Sequence, residues 1–331
     1  MTIQNKQWLL AKRPSGPVEE SHFRLVESAL PPLVEGKLAV KVHYLSLDPY
    51  MRGRMDDSKS YAVAQQLDQV MIGATVGEVL ESKHPSYRKG EMVVGGGGWQ
   101  QYFVSDGSGL QKVDARALPA SVYLGTVGMP GVTAWYGLNQ IGKPATGETV
   151  VVSAASGAVG SVVGQLAKLR GCRAVGVAGG PAKCGYVVDE LGFDACVDYK
   201  AASFDKDFAA ATPKGVDFVF ENVGGAVLDA SLGRMNAFGR VAVCGLIAGY
   251  GGGEIAIRRA RSILVNRLTI QGFIVSDHLE VWPKALAELA ALVAQKKLKY
   301  RESIAQGIES APRAFIGLLK GENFGKQLVK M

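Results

Sequence analysis

An uncharged apolar run at 149–153, TVVVS, leads into Ala154, Ala155, Ser156, Gly157, Ala158, Val159 and Gly160, and a helical pattern follows. An A-x-x-G-x-x-G string between a strand and a helix predicts a dinucleotide pyrophosphate site. Gly157 lets the backbone approach the phosphates, Gly160 lets helix and strand pack closely, and the helix end offers free N–H groups and partial positive charge. The bland alternative is a mere tight turn, in a chain with 42 glycines; the strand–turn–helix context favours the phosphate reading. The next strand ends at Ala178, where an NAD site would place an acid for the ribose 2′-hydroxyl. Gly179, Gly180, Pro181, Ala182 and Lys183 stand there instead. Losing the acid removes repulsion toward a 2′-phosphate, and Lys183 supplies charge, so NADP(H) is expected. The alternative, a solvated lysine at a helix start, would oppose the helix dipole.

Other chemistries find no residues. No G-x-S-x-G elbow surrounds Ser156. His22, His43, His84 and His278 are scattered without ligand spacing and read as surface residues. Cys172, Cys184, Cys196 and Cys244 form no CxxC pair, so neither a zinc site nor a disulfide is expected. No metal is therefore predicted, and a reaction here must polarise its substrate with hydroxyls, backbone amides or the cofactor ribose. Arg258, Arg259, Arg261 and Arg267 form a basic cluster whose default reading is a solvated helix face, with phosphate or partner contact as the alternative.

These residues need a scaffold, and the pattern supplies one. Residues 37–45 alternate, with Leu38, Val40, Val42 and Tyr44 on one face, and short β runs follow at 73–80, 91–94 and 100–104. From 121 to 140 the spacing is helical, with an interruption at Met129, Pro130 and Gly131. Strands at 149–153, 173–178, 195–199, 216–221, 240–246 and 268–275 then alternate with helices at 158–170, 181–191 and 226–235. The helix at 158–170 carries Val159, Val162, Val163, Leu166 and Leu169 on one stripe. A long helix is expected at 278–297 and a last strand at 325–330. This βα rhythm predicts an α/β fold: a doubly wound parallel Rossmann sheet inserted into a discontinuous β-barrel domain. The expected boundaries are 1–120 and 291–331 for the substrate domain and 121–290 for the NADP-binding domain. An apolar fraction of 47% excludes a disordered chain, a coiled coil and a disulfide scaffold. The net charge of +7 in 331 residues suits an anionic ligand without arguing for nucleic acid. No membrane span is expected: residues 149–167 are uncharged, but they change period halfway. The opening string MTIQNKQWLLAKRP has no signal-peptide core, and the free thiols fit a cytoplasmic setting.

The chain resembles the zinc-independent medium-chain dehydrogenases/reductases, within them the NADPH-dependent alkenal/one reductases. The strings are LSLDPYMRGRM at 45–55, GATVGEV at 73–79, GMPGVTAWYGL at 128–138, VSAASGAVGSVVGQLAK at 152–168, ENVGG at 221–225, CGLIAGY at 244–250, GFIVSD at 272–277 and ENFGKQLVK at 322–330. The resemblance implies a GroES-like barrel for the outer domain, a homodimer, and reduction of the C=C bond of α,β-unsaturated ketones or aldehydes. It also implies that Gly157, Ala158, Val159 and Gly160 hold the pyrophosphate, and Lys183 and Tyr199 the 2′-phosphate side of the adenosine. Asn222 would meet a ribose. Cys244, Gly245, Leu246, Ile247, Ala248, Gly249 and Tyr250, with Phe273, Ile274 and Val275, would line the nicotinamide region, and Asn323 would reach in from the tail. Tyr250 and Tyr50 are the candidate catalytic hydroxyls, each with packing as its alternative role. Gly251, Gly252 and Gly253 replace the longer Pro-rich loop of mammalian relatives, implying a more open site. Quinone reduction by the same superfamily, or NADPH binding without catalysis, would also fit the cofactor motifs.

Overall fold

A computed structural model describes residues 3–331 and divides the chain into two compact units. Unit 1 combines Met1–Gly125 with Glu302–Met331, and unit 2 is Thr126–Arg301. The chain begins with an antiparallel hairpin of β1 (Gln4–Leu10) and β2 (Phe23–Ala29), then β3 (Leu38–Ser46) and the short α1 (Tyr50–Arg54). β4 (Thr75–Ser82), β5 (Met92–Gly95), β6 (Tyr102–Ser105) and β7 (Gln111–Lys112) complete its first part. β3 bulges twice, at Ala39/Val40 and Val42/Tyr44, so its strict alternation breaks. Leu38, Val40 and Val42 enter one core cluster, whereas Leu45 enters another.

Unit 2 opens with α2 (Met129–Tyr136), continued by a π-helical turn, Gly137–Gly142. Met129, Pro130 and Gly131 therefore start this helix and do not interrupt it; the break lies at 125–128. Proline is tolerated in a first turn because no earlier carbonyl awaits its missing N–H. β8 (Thr149–Ser153), α3 (Gly160–Leu169), β9 (Arg173–Ala178), α4 (Pro181–Gly185), β10 (Ala195–Asp198), α5 (Phe204–Ala211), β11 (Val216–Glu221), α6 (Gly225–Leu232), β12 (Met235–Val243), α7 (Ala260–Val265), β13 (Thr269–Gly272) and α8 (Trp282–Ala294) follow. On α3, Val162, Val163 and Leu166 are buried, but Leu169 is 51% exposed, so the apolar stripe stops a turn early. The helix expected at 278–297 is shorter than its sequence pattern and begins at Trp282. The chain returns to unit 1 through β14 (Glu302–Gln306), α9 (Ala311–Leu319) and β15 (Lys326–Lys330).

The unit 2 sheet has the order β10-β9-β8-β11-β12-β13, and every pair is parallel. Numbered from its own first strand this is 3-2-1-4-5-6, the doubly wound dinucleotide order, with its switch point between β8 and β11. β8 is buried at all five positions, as a strand covered on both faces must be. In unit 1 the sheet order is β14-β15-β3-β4-β5-β7, with β6 also on β3. One of its core clusters joins Leu10, Phe23, Leu45, Met51, Trp99 and Phe315, with Trp99 stacked on Phe23 at 5.2 Å.

Among the described residues no helix is long and apolar enough to cross a membrane, and 149–167 resolves into β8 and α3.

Candidate active site

The switch point is built from the ends of β8 and β11. Glu221, the last residue of β11, has no exposed surface. Its Oε1 accepts hydrogen bonds from Ser153 Oγ at 2.8 Å, Val223 N at 2.6 Å and Gly224 N at 2.8 Å. Burial raises its pKa, against the pull of those donors. Asn222 N donates to Ser153 Oγ at 2.7 Å, and the Asn222 amide donates to the Ser153 carbonyl at 2.8 Å. The two strand ends are thus clamped.

The turn above β8 needs two unusual backbone features. Ala154 has φ of 49°, a left-handed conformation rare for a residue with a Cβ. A Cβ at Gly160 would collide with the Ala154 carbonyl, so only glycine lets α3 start this close to the strand. The helix is closed on this turn: Ser161 N donates to the Gly157 carbonyl at 3.1 Å, and Val162 N and Val163 N to that of Val159 at 3.0 and 3.1 Å.

At the end of β9, a Cβ on Gly179 would lie 2.9 Å from Tyr199 Cε1 and 3.0 Å from Lys200 Cε. Lys183 stands in the first turn of α4; burial, and then the charge of Lys200, lower its pKa. Two cations and a phenol therefore gather where an NAD site would carry an acid. Lys200 was not among the expected residues; its signal was the Tyr199-Lys200 pair directly after β10. Asp198 Oδ1 accepts from Gly180 N at 2.8 Å and Lys200 N at 2.9 Å, tying the two loops together. Charge-assisted contacts contribute about 1.5–3 kcal/mol. Lys183→Ala is therefore expected to cost roughly 10- to 100-fold in kcat/KM with NADPH and little with NADH. Steady-state kinetics with both cofactors check this, and equal losses would remove Lys183 from the phosphate.

The loop after β12 is held to β11 by main-chain bonds. Cys244 N and Gly245 N donate to the Glu221 carbonyl at 2.8 and 3.2 Å, and Ala248 N donates to that of Val223 at 3.0 Å. Ile247–Gly249 forms one 3₁₀ turn, and Tyr250 follows, half-buried. The loop folds back so that a Cβ on Gly245 would lie 3.7 Å from the Tyr250 hydroxyl. Burial, with Glu221 nearby, pushes the Cys244 thiol up to about 12, so it stays protonated. Phe273 and Val275 are buried past β13, with Ile274 between them half-buried. Phe273 lies 5.4 Å from the ring of Tyr136. His278, expected on the surface, instead stacks on Tyr136 at 4.2 Å and shares a 2.8 Å hydrogen bond with its hydroxyl.

In unit 1, Tyr50 begins α1, two residues after Asp48. Asp48 is buried and paired with Lys326, whose Nζ lies 2.5 Å from Asp48 Oδ1 and 2.7 Å from the Leu47 carbonyl. Ser46 Oγ also donates to Asp48. Burial, and then Asp48, raise the Tyr50 pKa, so this phenol keeps its proton. Asn323 donates to the Gly325 carbonyl at 2.8 Å within its own turn. Thus Gly157–Gly160, Asn222 and the 244–250 loop share the strand ends of unit 2, with Lys183 just past β9 and Tyr199 just past β10. Tyr50 and Asn323 lie in unit 1. Arg258, Arg259 and Arg261 line a separate cavity of about 730 Å³ with Asp229, while Arg267 stacks on Phe238 at 4.5 Å. Among the described residues no group of three or more His, Cys, Asp or Glu could hold a metal ion.

A parallel sheet in dinucleotide order, with a glycine turn at its switch point and a mostly antiparallel β unit built from both chain ends, is an architecture suited to a dinucleotide-dependent oxidoreductase. Residues 6–113 match a model described as an N-terminal domain of oxidoreductase, and residues 158–291 one described as a zinc-binding dehydrogenase. The NADPH-dependent curcumin reductase of Escherichia coli is 45% identical over 99% of this chain and 97% of its own. Prostaglandin reductase 1 of Rattus norvegicus is 42% identical over 99% of both. The crystal structure of CurA in complex with NADPH from Vibrio vulnificus superposes with a TM-score of 0.94, at 44% identity over 98% of this chain and 99% of that one. The chain therefore belongs to the medium-chain dehydrogenases/reductases, in the family that contains curcumin reductase and prostaglandin reductase.

Proposed function

We propose that this protein is an NADPH-dependent reductase of the carbon–carbon double bond of α,β-unsaturated ketones and aldehydes, acting as a cytoplasmic homodimer. The observation that carries the reading is the corner of Lys183, Tyr199 and Lys200 around Gly179, beside a dinucleotide turn, in a chain whose relatives are named for NADPH-dependent reduction. The cradle fits the cofactor. Gly160 is the residue a close helix–strand approach demands, and Gly179 lets the Tyr199 and Lys200 side chains approach to where a Cβ would meet them at 2.9 and 3.0 Å.

Gly157–Gly160 would hold the pyrophosphate, Asn222 Oδ1 a ribose hydroxyl, and Lys183 with Lys200 the 2′-phosphate. The bound cofactor supplies hydride to the β-carbon of the enone. Negative charge then develops on the substrate's carbonyl oxygen. The Tyr250 hydroxyl, preorganised by its loop, would donate a hydrogen bond to that oxygen and stabilise the enolate. Tyr50, held protonated by burial and Asp48, is the second phenol suited to that role.

The homodimer is supported by the outer edge of the unit 2 sheet. All four residues of β13 are exposed, and Leu264, Val265 and Phe238 are 80%, 50% and 67% exposed. An unpaired edge beside exposed apolar side chains favours pairing with a second copy. Sedimentation equilibrium should give twice the 35.0 kDa chain mass.

NADPH oxidation across enones, alkenals, quinones and plain ketones tests the reading. Turnover is expected with enones and alkenals; turnover confined to quinones, or cofactor binding without turnover, would contradict it. The rate should also be unchanged after dialysis against a chelator, because the polarising groups named here are hydroxyls. About one zinc per chain, with activity lost on its removal, would refute that.

A further inference from the structure

Cys184 and Cys196 are separated by 12 positions, yet their sulfur atoms lie 3.2 Å apart. Cys184 sits in the first turn of α4, directly after Lys183, and Cys196 on β10, two residues before Asp198. Both are free and half-buried, so a small oxidant can reach them. In a disulfide the sulfur atoms are about 2.05 Å apart, so bond formation needs only about 1 Å of approach. We propose that Cys184 and Cys196 are a dithiol oxidised by hydroperoxides to a disulfide, and that this bond weakens NADPH binding at the adjoining phosphate corner. Cys196 donates its S–H toward Cys184, which lowers the Cys184 pKa and makes Cys184 the attacking sulfur. The same bond, and then burial, hold the Cys196 proton in place.

The chemistry balances with hydrogen peroxide as the oxidant. The Cys184 thiolate attacks one peroxide oxygen; an S–O bond forms, the O–O bond breaks, and hydroxide leaves to become water with the proton Cys184 gave up. The Cys196 sulfur then attacks the sulfenic sulfur. The S–S bond forms, the S–O bond breaks, and the oxygen departs as water with the Cys196 proton. The two sulfurs lose two electrons and the peroxide gains them.

The link to the cofactor rests on the assignment of Lys183 to the 2′-phosphate. Cys184 and Lys183 share one helical turn, and Gly180 N in the loop before it donates to Asp198 on the Cys196 strand. Drawing the two sulfurs together pulls that turn toward β10 and shifts Lys183. Binding linkage is reciprocal, so bound NADPH should slow the oxidation.

The test treats the whole enzyme with hydrogen peroxide, counts thiols, maps peptides without reduction and measures kinetics with NADPH before and after dithiothreitol. The expected result is loss of two of the four thiols, a peptide cross-linked through Cys184 and Cys196, and a KM for NADPH raised at least fivefold. The kcat should stay within twofold, dithiothreitol should reverse the change, and Cys184→Ser should abolish the peroxide response. No cross-linked peptide, or a cross-link that leaves the KM unchanged, overturns the proposal. Lys183→Ala measured alongside shows whether the phosphate assignment fell with it: if that variant still loses preference for NADPH, only the dithiol coupling is wrong.

Discussion

Tyr250→Phe is expected to lower kcat by roughly 10- to 1000-fold, the scale of losing one donor to a developing oxyanion. The substitution keeps the ring, so the loop packing that carries it should survive. Main-chain bonds from Cys244, Gly245 and Ala248 to the carbonyls of Glu221 and Val223 do not involve the phenol. Affinity for NADPH should change little, because the phosphate contacts lie on other loops. The measurement must be made where hydride transfer limits the rate, established by a deuterium isotope effect. A kcat within about twofold of the parent would assign Tyr250 to packing and pass the donor role to Tyr50.

Lys326→Met is expected to destabilise the protein by about 3–5 kcal/mol, because it leaves the Asp48 charge buried without its counter-ion. Both side chains are buried, and Lys326 Nζ also donates to the Leu47 carbonyl. The pair joins β15 to the segment that begins with Asp48 and leads into α1, so Tyr50 loses its support as well. Denaturant melts of Lys326→Met and of Lys326→Met with Asp48→Leu separate the causes. The double variant should recover most of the loss, since a well-packed apolar pair replaces a buried ion pair at little cost. If the double variant is as unstable as the single, the loss comes from packing and not from the orphaned charge.

The parallel sheet was largely legible in the sequence. β8, β9 and β11 run over the bounds expected from the sequence, 149–153, 173–178 and 216–221, because a strand covered on both faces is rich in apolar residues. The glycine turn and Lys183 stood out in the sequence because a phosphate site would demand particular residues at fixed distances from a strand end. Elsewhere the signal failed for physical reasons. β1 and β2 were missed because both are half-exposed, and their alternation is diluted by polar residues. The bulge at Val42/Tyr44 packs Tyr44 against the cluster of Val76, Leu124 and Leu328 instead of the one that holds Val42, which no period-two pattern can express. The Asp48–Lys326 pair spans 278 positions, and the Cys184–Cys196 contact depends on how a helix and a neighbouring strand meet. His278 looked like a surface residue because its partner, Tyr136, lies 142 positions earlier.

The central claim is hydride delivery to the β-carbon of an enone, and the direct test is to follow the label. A simple linear enone is reduced with NADPH carrying deuterium at the transferable position of the dihydronicotinamide, and the product is read by NMR. The expected product is the saturated ketone with one deuterium at the former β-carbon and solvent hydrogen at the α-carbon. Deuterium on the carbonyl carbon, giving an allylic alcohol, or NADPH consumed without reduction of the double bond, would contradict the account.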